Sequence, residues 1–138
     1  MADPWLTIIG LGEDGLNGLP PASRAALDAA EIVFGAPRHL DLADVGDRGR
    51  AWPVPFDIAP VLAERGRKVA VLASGDPFWH GAGGSLAGQL SPDDYITQPA
   101  PSCFSLAAAE MGWRIEEVLC LGLHAAPFTR LTPVLAKG

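Results

Sequence analysis

The chain has 138 residues, of which 49% are hydrophobic and 19% charged, and its formal net charge is −6. This composition excludes a disordered chain, and no apolar run approaches the ~20 residues of a membrane span. The acidic balance disfavours nucleic-acid binding, which depends on a basic surface. The start, Met-Ala-Asp-Pro-Trp, lacks a signal-peptide pattern, and two cysteines make no disulfide framework, so we expect one cytoplasmic domain.

The first predicted strand covers residues 5–10 and runs into a loop rich in glycine. Gly10 and Gly12 fit the start of a dinucleotide-binding fingerprint, but that fingerprint needs a helix to begin at once. Here Leu-Asn-Gly-Leu-Pro-Pro follows instead, which weakens the nucleotide interpretation. A tight turn and a ligand-binding loop both remain open.

A proline pair at 20–21 and alanines at helical spacing predict an amphipathic helix, followed by a second strand near residues 31–34. The strand ends in Gly-Ala-Pro-Arg-His-Leu, residues 35–40, which we expect to form a turn. Arg38 offers a planar fork for a carboxylate and His39 can donate hydrogen bonds. Both are candidate substrate-binding residues, and a solvated loop side chain is the alternative for Arg38.

Residues 41–56 are interpreted as connecting structure before a helix that begins near Asp57 and ends near Gly66. The basic residues around the end of this helix are interpreted as a solvated terminus and not as a binding patch. They are Arg65, Arg67 and Lys68.

An uncharged apolar run near residues 68–73 is typical of a strand buried on both faces of a parallel sheet. It stops at Ser-Gly-Asp-Pro-Phe-Trp-His-Gly-Ala-Gly, residues 74–83. Ligands of open α/β sheets bind where loops leave the carboxyl ends of the strands, so this loop is the predicted ligand site. Gly-Asp-Pro alone is also common turn chemistry.

The later elements are predicted as a helix near 86–90, a strand near 94–98, a helix over 104–111 and a strand near 117–123. Ser102 stands before the second of these helices, where its hydroxyl can cap it. Histidines at 39, 80 and 124 and cysteines at 103 and 120 give no metal-ligand spacing, and no serine has the surroundings of a hydrolase nucleophile.

The alternation of strands and helices predicts a three-layer α/β sandwich with a mainly parallel five-stranded sheet, because parallel neighbours need helical crossovers. The predicted strands lie near residues 5–10, 31–34, 68–73, 94–98 and 117–123.

Residues 74–83 resemble the Gly-Asp-Pro loop of the tetrapyrrole methylases, enzymes that use S-adenosylmethionine. The glycine-rich loop after the first strand is similar to that family's opening. The turn at 35–40 resembles the branch that methylates precorrin-6 or its cobalt counterpart, and Pro99 and Ser102 match the family's Pro-x-x-Ser/Thr-Ser turn. The resemblance implies an amino-terminal domain of the tetrapyrrole methylase fold, with the carboxy-terminal methylase domain outside residues 1–138.

The resemblance also implies a site. Asp76 is the implied active-site carboxylate, either steadying the donor's charge or taking part in proton removal, and His80 stands where many members have tyrosine. The implied cofactor-binding residues are Gly75, Asp76, Pro77, Phe78, Gly81, Ser102 and Cys103. The implied substrate-binding residues are Gly10, Gly12, Arg38 and His39.

The implied function is methyl transfer from S-adenosylmethionine to carbon 5 of precorrin-6 in cobalamin biosynthesis. The implied partners are the tetrapyrrole, the second methylase domain and a fused decarboxylating methyltransferase domain, and a homo-oligomer stays open. Two alternatives remain: a methylase of the same superfamily acting on uroporphyrinogen or RNA, and a non-catalytic nucleotide-binding module.

Overall fold

The computed structural model describes residues 3–123 and 127–135, and the chain divides into two compact units, Met1–Ser102 and Cys103–Gly138. The first unit holds the strands β1 (Leu6–Leu11), β2 (Ile32–Gly35), β3 (Gly49–Ala51), β4 (Val69–Ser74) and β5 (Tyr95–Gln98). It also holds the helices α1 (Pro21–Ala29), α2 (Pro37–Leu42), α3 (Ala59–Leu62) and α4 (Ala82–Ala87). The second unit holds α5 (Cys103–Met111) and the 3-10 turns Ile115–Glu117, Phe128–Arg130 and Thr132–Val134.

The five strands form one sheet in the order β3-β2-β4-β1-β5, and every neighbouring pair is parallel. β4 lies at the centre and pairs with β1 from Leu6↔Val69 to Leu11↔Ser74. All residues of β4 except Ser74 are buried, as expected for a strand covered on both faces. The predicted parallel α/β sheet is confirmed.

Two apolar clusters cover the two faces of the sheet. On one face, Ile9 of β1 and Leu72 of β4 pack with Leu27 of α1. On the other, the buried side chains come from the alternate strand positions together with α3 and α4: Leu6, Ile8, Ile32, Phe34, Val61, Val69, Val71 and Leu86. The first unit is therefore a three-layer sandwich.

The fifth strand is not where the sequence predicted it. Residues 118–123 have no regular structure, and the predicted strand tip at His124 lies outside the described residues. An apolar run becomes a strand only beside a neighbour that supplies N–H and C=O partners, and these residues make no ladder hydrogen bonds. The fifth strand is instead β3, an edge strand whose Arg50 and Ala51 are exposed, so that no apolar pattern marks it.

The helix boundaries also differ from the prediction. α3 is shorter than the predicted span of residues 57–66, and α4 begins and ends earlier than residues 86–90. α5 ends before Gly112, which has a φ of +68°, as the sequence predicted. Within residues 3–123 and 127–135, no helix has the length and apolar content that a membrane span requires.

Candidate active site

The carboxyl ends of β1 and β4 mark the switch point of the sheet. The chain leaves β1 toward α1, which packs on one face through Leu27, and leaves β4 toward α4, which packs on the opposite face through Leu86. The loops that follow the two adjacent strands therefore diverge. Such a divergence opens the crevice in which α/β sheets bind ligands.

Backbone segments from three strands meet closely at this edge. The Gly75 N–H donates to Leu11 O at 3.0 Å, and the Ala100 N–H donates to Gly75 O at 3.1 Å. A Cβ at Gly10 would lie 2.1 Å from Gly75 O and 2.4 Å from Ala100 N. Gly10 is thus required by the packing of the chain on itself, and its predicted contact with substrate stays a prediction.

The Gly-Asp-Pro loop is a compact turn organised around Pro77. The Asp76 Oδ1 accepts a hydrogen bond from the Phe78 N–H at 2.9 Å, and the Pro77 side chain is fully buried. The Gly83 N–H donates to Pro77 O at 3.0 Å, and a Cβ at Gly81 would lie 2.5 Å from the same oxygen. Gly81 and Gly83 therefore let α4 start directly against the turn.

Three aromatic or imidazole side chains follow Asp76 on the surface of this loop. Phe78 is 47% exposed and Trp79 is 37% exposed. His80 has a φ of +51°, and its ring lies edge-on to Trp79 with the ring centroids 5.0 Å apart. The loop thus presents flat apolar surface beside a carboxylate, which suits an organic ligand with a positive charge.

The glycine-rich loop after β1 wraps around an acidic side chain. A Cβ at Gly12 would lie 2.8 Å from the Asp14 Oδ1, and one at Gly18 would lie 2.2 Å from it. Gly15 has a φ of +58° in the 3-10 turn Gly15–Gly18, and α1 begins only at Pro21. The loop therefore does not open a helix as a dinucleotide fingerprint would.

The predicted turn after β2 is the helix α2, which begins at Pro37 because proline suits the first helical position. Its exposed Arg38 donates from both terminal guanidinium nitrogens, Nη1 and Nη2, to the exposed carboxylate of Glu13 in the loop after β1. A substrate carboxylate that bound the same N–H groups of Arg38 would have to displace Glu13. Sequence reasoning missed this pair because the two residues are far apart in the chain.

His39 of α2 reaches the end of the central strand. Its Nε2 lies 2.9 Å from the Ser74 Oγ, and Ser74 itself is exposed. Burial, and secondarily the positive charge of Arg38, lower the pKa of His39 below its ordinary 6.5. The imidazole is therefore neutral at pH 7, so His39 is not a fixed cation for a substrate carboxylate.

The turn after β5 brings Ser102 against Gly75. Gly75 has a φ of +55°, and a Cβ built there would lie 2.8 Å from Pro101 O and 3.5 Å from the Ser102 Cα. Two of the predicted cofactor-binding segments are thus in contact through their backbones. Cys103 is the exposed first residue of α5, and its assignment stays a prediction.

A family model described as Tetrapyrrole (Corrin/Porphyrin) Methylases matches residues 5–136. The chain belongs to the tetrapyrrole methylase family. Among curated relatives of this tetrapyrrole methylase chain, the decarboxylating precorrin-6Y C(5,15)-methyltransferase of Sinorhizobium sp is 39% identical over all of it. The cobalt-precorrin-7 C(5)-methyltransferase of Salmonella typhimurium is 28% identical over 86% of it.

The solved structure of a precorrin-6Y methylase from Archaeoglobus fulgidus has a TM-score of 0.72 and 27% identity to this tetrapyrrole methylase chain, covering 87% of it. The match covers 65% of that solved chain. The present chain spans 34% of the Sinorhizobium protein and 61% of the Salmonella protein. The chain that forms the crevice therefore corresponds to only part of each of these longer relatives.

This tetrapyrrole methylase chain also has a groove of about 960 Å³ at the opposite, amino-terminal edge of the sheet. Two of its arginines are already paired: Arg65 with Asp94 at 2.8 Å and Arg67 with Glu64 at 3.3 Å. The Arg65 hydrogen bond also lowers the pKa of Asp94. We place the candidate active site at the switch point and not in this groove, because no strand's carboxyl end reaches the groove.

Glu13 and Ser74 are the residues of the tetrapyrrole methylase crevice that sequence reasoning missed. Ser74 had a signal, since it is the one polar, exposed residue that closes the buried central strand. Glu13 had none beyond its place in a glycine-rich loop. Within residues 3–123 and 127–135, no three His, Cys, Asp or Glu side chains are grouped as a metal site requires.

Proposed function

We propose that this chain is the donor-binding part of an S-adenosylmethionine-dependent methyltransferase acting on carbon 5 of a precorrin ring. The observation that carries the proposal is the contact between the Gly75 loop and the Ser102 turn. These are the two segments that the family resemblance assigns to the methyl donor. Their contact at the switch point of the sheet makes one continuous surface out of both.

The residues at this edge fit the chemical groups of the donor. S-adenosylmethionine supplies a methyl group on a positively charged sulfur. Asp76 offers a carboxylate that its own turn holds in place through the Phe78 N–H, and Phe78 and Trp79 offer exposed aromatic surface. Glycines at 10 and 75 let the backbone segments at the ends of β1, β4 and β5 pack closely at this edge. The chain thus holds and orients its ligands and needs no covalent step of its own.

The acceptor position follows from the names of the relatives. The Sinorhizobium protein is named for carbons 5 and 15, and the Salmonella protein for carbon 5 alone. The present chain matches both, so we assign it to the carbon 5 reaction that the two names share. The part that acts on carbon 15 would then belong to a different segment of the longer relatives.

Methyl-transfer assays with ¹³C-methyl-labelled donor test the proposal in the complete enzyme that contains this chain. Precorrin-6, uroporphyrinogen III and ribosomal RNA serve as the acceptors. We expect label at carbon 5 of the precorrin, identified by its ¹³C shift, and none in the other two acceptors. Label only in uroporphyrinogen or RNA would overturn the acceptor, and retention on immobilised adenosine nucleotides but not on S-adenosylhomocysteine would favour the nucleotide-binding module.

A further inference from the structure

Methyl transfer to a ring carbon leaves one proton to be removed. The neutral acceptor gains a methyl group in a new carbon–carbon bond, while the donor's sulfur keeps the electron pair of the bond that breaks. The methylated ring is then a cation until it loses one proton, whose bonding electrons stay with the ring. A group beside the acceptor that is unprotonated at working pH and can take this proton would complete the reaction.

The charged groups around the crevice differ in how well they could accept this proton. Arg38 is a cation, Glu13 is engaged with it, and Asp76, whose Oδ1 accepts the Phe78 N–H, is placed by the proposed function beside the positively charged sulfur of the donor. On the edge strand β3, which lies beside β2, Arg50 donates to the carbonyls of Asp47 and Gly49. The remaining acidic groups nearby are Asp14 in the loop after β1 and the exposed Asp41 of α2.

His39 differs from these groups because it is half-buried and uncharged. The exposed Ser74 hydroxyl lies 2.9 Å from the His39 Nε2. Ser74 pairs with Leu11 across the β1–β4 junction and directly precedes Gly75. The hydroxyl therefore stands between the predicted ligand loop and the imidazole.

We propose that Ser74 and His39 form a proton relay that receives the proton released from the methylated ring. The Ser74 Oγ takes the ring proton as its own proton passes to the His39 Nε2, giving an imidazolium and an unchanged serine. This step requires the neutral tautomer that carries its proton on Nδ1, so that the Ser74 hydroxyl donates to Nε2. The inference rests on the proposed methyltransferase function. Partial burial and the nearby positive charge of Arg38 both lower the His39 pKa, so the imidazolium readily gives up the proton again.

The relay can be tested without turnover by ¹⁵N NMR of the complete enzyme labelled at histidine, with His39 assigned from the signals missing in His39→Gln. We expect Nδ1 to carry the proton in the neutral ring, and this tautomer preference to weaken in Ser74→Ala, because the hydrogen bond at Nε2 is lost. A neutral His39 protonated at Nε2 would overturn the relay, since its accepting nitrogen would be filled.

Single-turnover methyl transfer gives the second readout. We expect His39→Gln to slow the step about 10²-fold and Ser74→Ala to slow it less, while donor and tetrapyrrole affinities stay within about threefold. The double variant should be no slower than His39→Gln, because both residues serve one path. The wild-type rate should fall as the pH drops through the His39 pKa, and His39→Gln should lack that limb.

Ser85→Ala is the matched control, an exposed serine of α4 outside the relay. A wild-type rate in His39→Gln, or an unchanged acid limb, would overturn the relay while leaving the methyltransferase proposal intact. Absence of methyl transfer in the wild type would instead overturn the proposed function. The NMR tautomer would still decide whether Ser74 donates to His39.

Discussion

At the scale of single residues, glycine at the switch point is needed because a side chain there would overlap the backbone of neighbouring segments. A Cβ at Gly10 would overlap the Gly75 carbonyl and the Ala100 amide, which are backbone atoms that cannot rotate away. Gly84 of α4 is the opposite case, because a Cβ built there would meet nothing within 4 Å. Comparing substitutions at Gly10 and Gly84 therefore distinguishes a steric clash at the added Cβ from the entropy that any glycine loses when the chain folds.

We expect Gly10→Ala to lower the free energy of unfolding by about 1–3 kcal/mol or more, because the segments after β4 and β5 must move apart. Gly84→Ala should raise it by about 0.5–1 kcal/mol, since alanine favours a helix. Urea unfolding followed by circular dichroism measures both. Equal effects of the two substitutions would show that the edge can relax around Gly10.

Asp76→Asn removes the charge of the predicted active-site carboxylate while keeping an oxygen that can accept the Phe78 N–H. In the complete enzyme we expect turnover to fall about 10²-fold, with a change in stability of less than about 0.5 kcal/mol. Asp57→Asn is the matched control, because Asp57 Oδ1 accepts the Ala59 N–H in the same way at 2.9 Å. Unchanged turnover in Asp76→Asn would remove Asp76 from the site.

At the scale of secondary-structure elements, two side-chain contacts join α2 to the loop after β1 and to the end of β4. Arg38 pairs with Glu13 of the loop after β1, and His39 meets Ser74 at the end of β4. The first contact joins two charged side chains and the second joins two uncharged ones, so the two contacts should respond to different perturbations. Both belong to a helix of only six residues, Pro37–Leu42.

If Arg38 binds a substrate carboxylate, Arg38→Ala should weaken tetrapyrrole binding by about 1.5–3 kcal/mol without changing donor affinity. Glu13→Gln should strengthen tetrapyrrole binding up to about fivefold, because the competing exposed ion pair stabilises by only ~0.2–1 kcal/mol. Titrations of each variant with both ligands measure these changes. Arg24→Ala, which breaks an exposed pair with Asp28 on α1, is the control. Weaker binding in Glu13→Gln would mean that Glu13 positions Arg38.

The lowered pKa of His39 predicts a pH dependence of stability. Since the unfolded chain binds the proton near pH 6.5 and the folded chain at lower pH, stability is fully present above 6.5 and falls as the pH drops through the folded pKa. Urea unfolding at a series of pH values should show this loss, with a smaller slope in His39→Gln. Asp94, whose pKa is lowered from 3.8, acts in a separate and more acidic range. Equal slopes in the two proteins would contradict the shift.

At the scale of the whole molecule, the two units differ in how they bury apolar surface. All five strands and both core clusters lie in Met1–Ser102. In the second unit, α5 has no buried residue, and several large apolar side chains are more than half exposed: Leu106, Met111, Trp113 and Leu119. The first unit therefore holds the stable core among the described residues.

We expect the 138-residue chain to fold, yet to bind S-adenosylmethionine weakly or not at all. Folding follows from a complete sheet covered on both faces. Weak binding follows from the family resemblance, which implies that the donor lies between two domains, of which this chain would supply one. Calorimetry with the chain and with the complete enzyme compares the two. Micromolar affinity of the chain alone would show that its crevice is sufficient.

The sequence by itself determined the class of fold and pointed to the edge of the sheet at which we place the candidate site. Buried strands such as β4 are uncharged and apolar along their length, and the Gly-Asp-Pro segment marks where the central strand stops, so both can be recognised locally. Ser102 was also placed correctly beside the start of a helix, although its contact with the Gly75 loop could not be derived from local pattern.

Only the tertiary structure decided the pairings. β3 exists because β2 offers it a free edge, and residues 118–123 form no strand because no neighbour pairs with them, although their composition is the more strand-like. The contacts of Arg38 with Glu13 and of His39 with Ser74 join residues 25 and 35 positions apart. Hydrogen bonds between distant segments depend on the order of strands in the sheet, which local patterns of polarity do not encode.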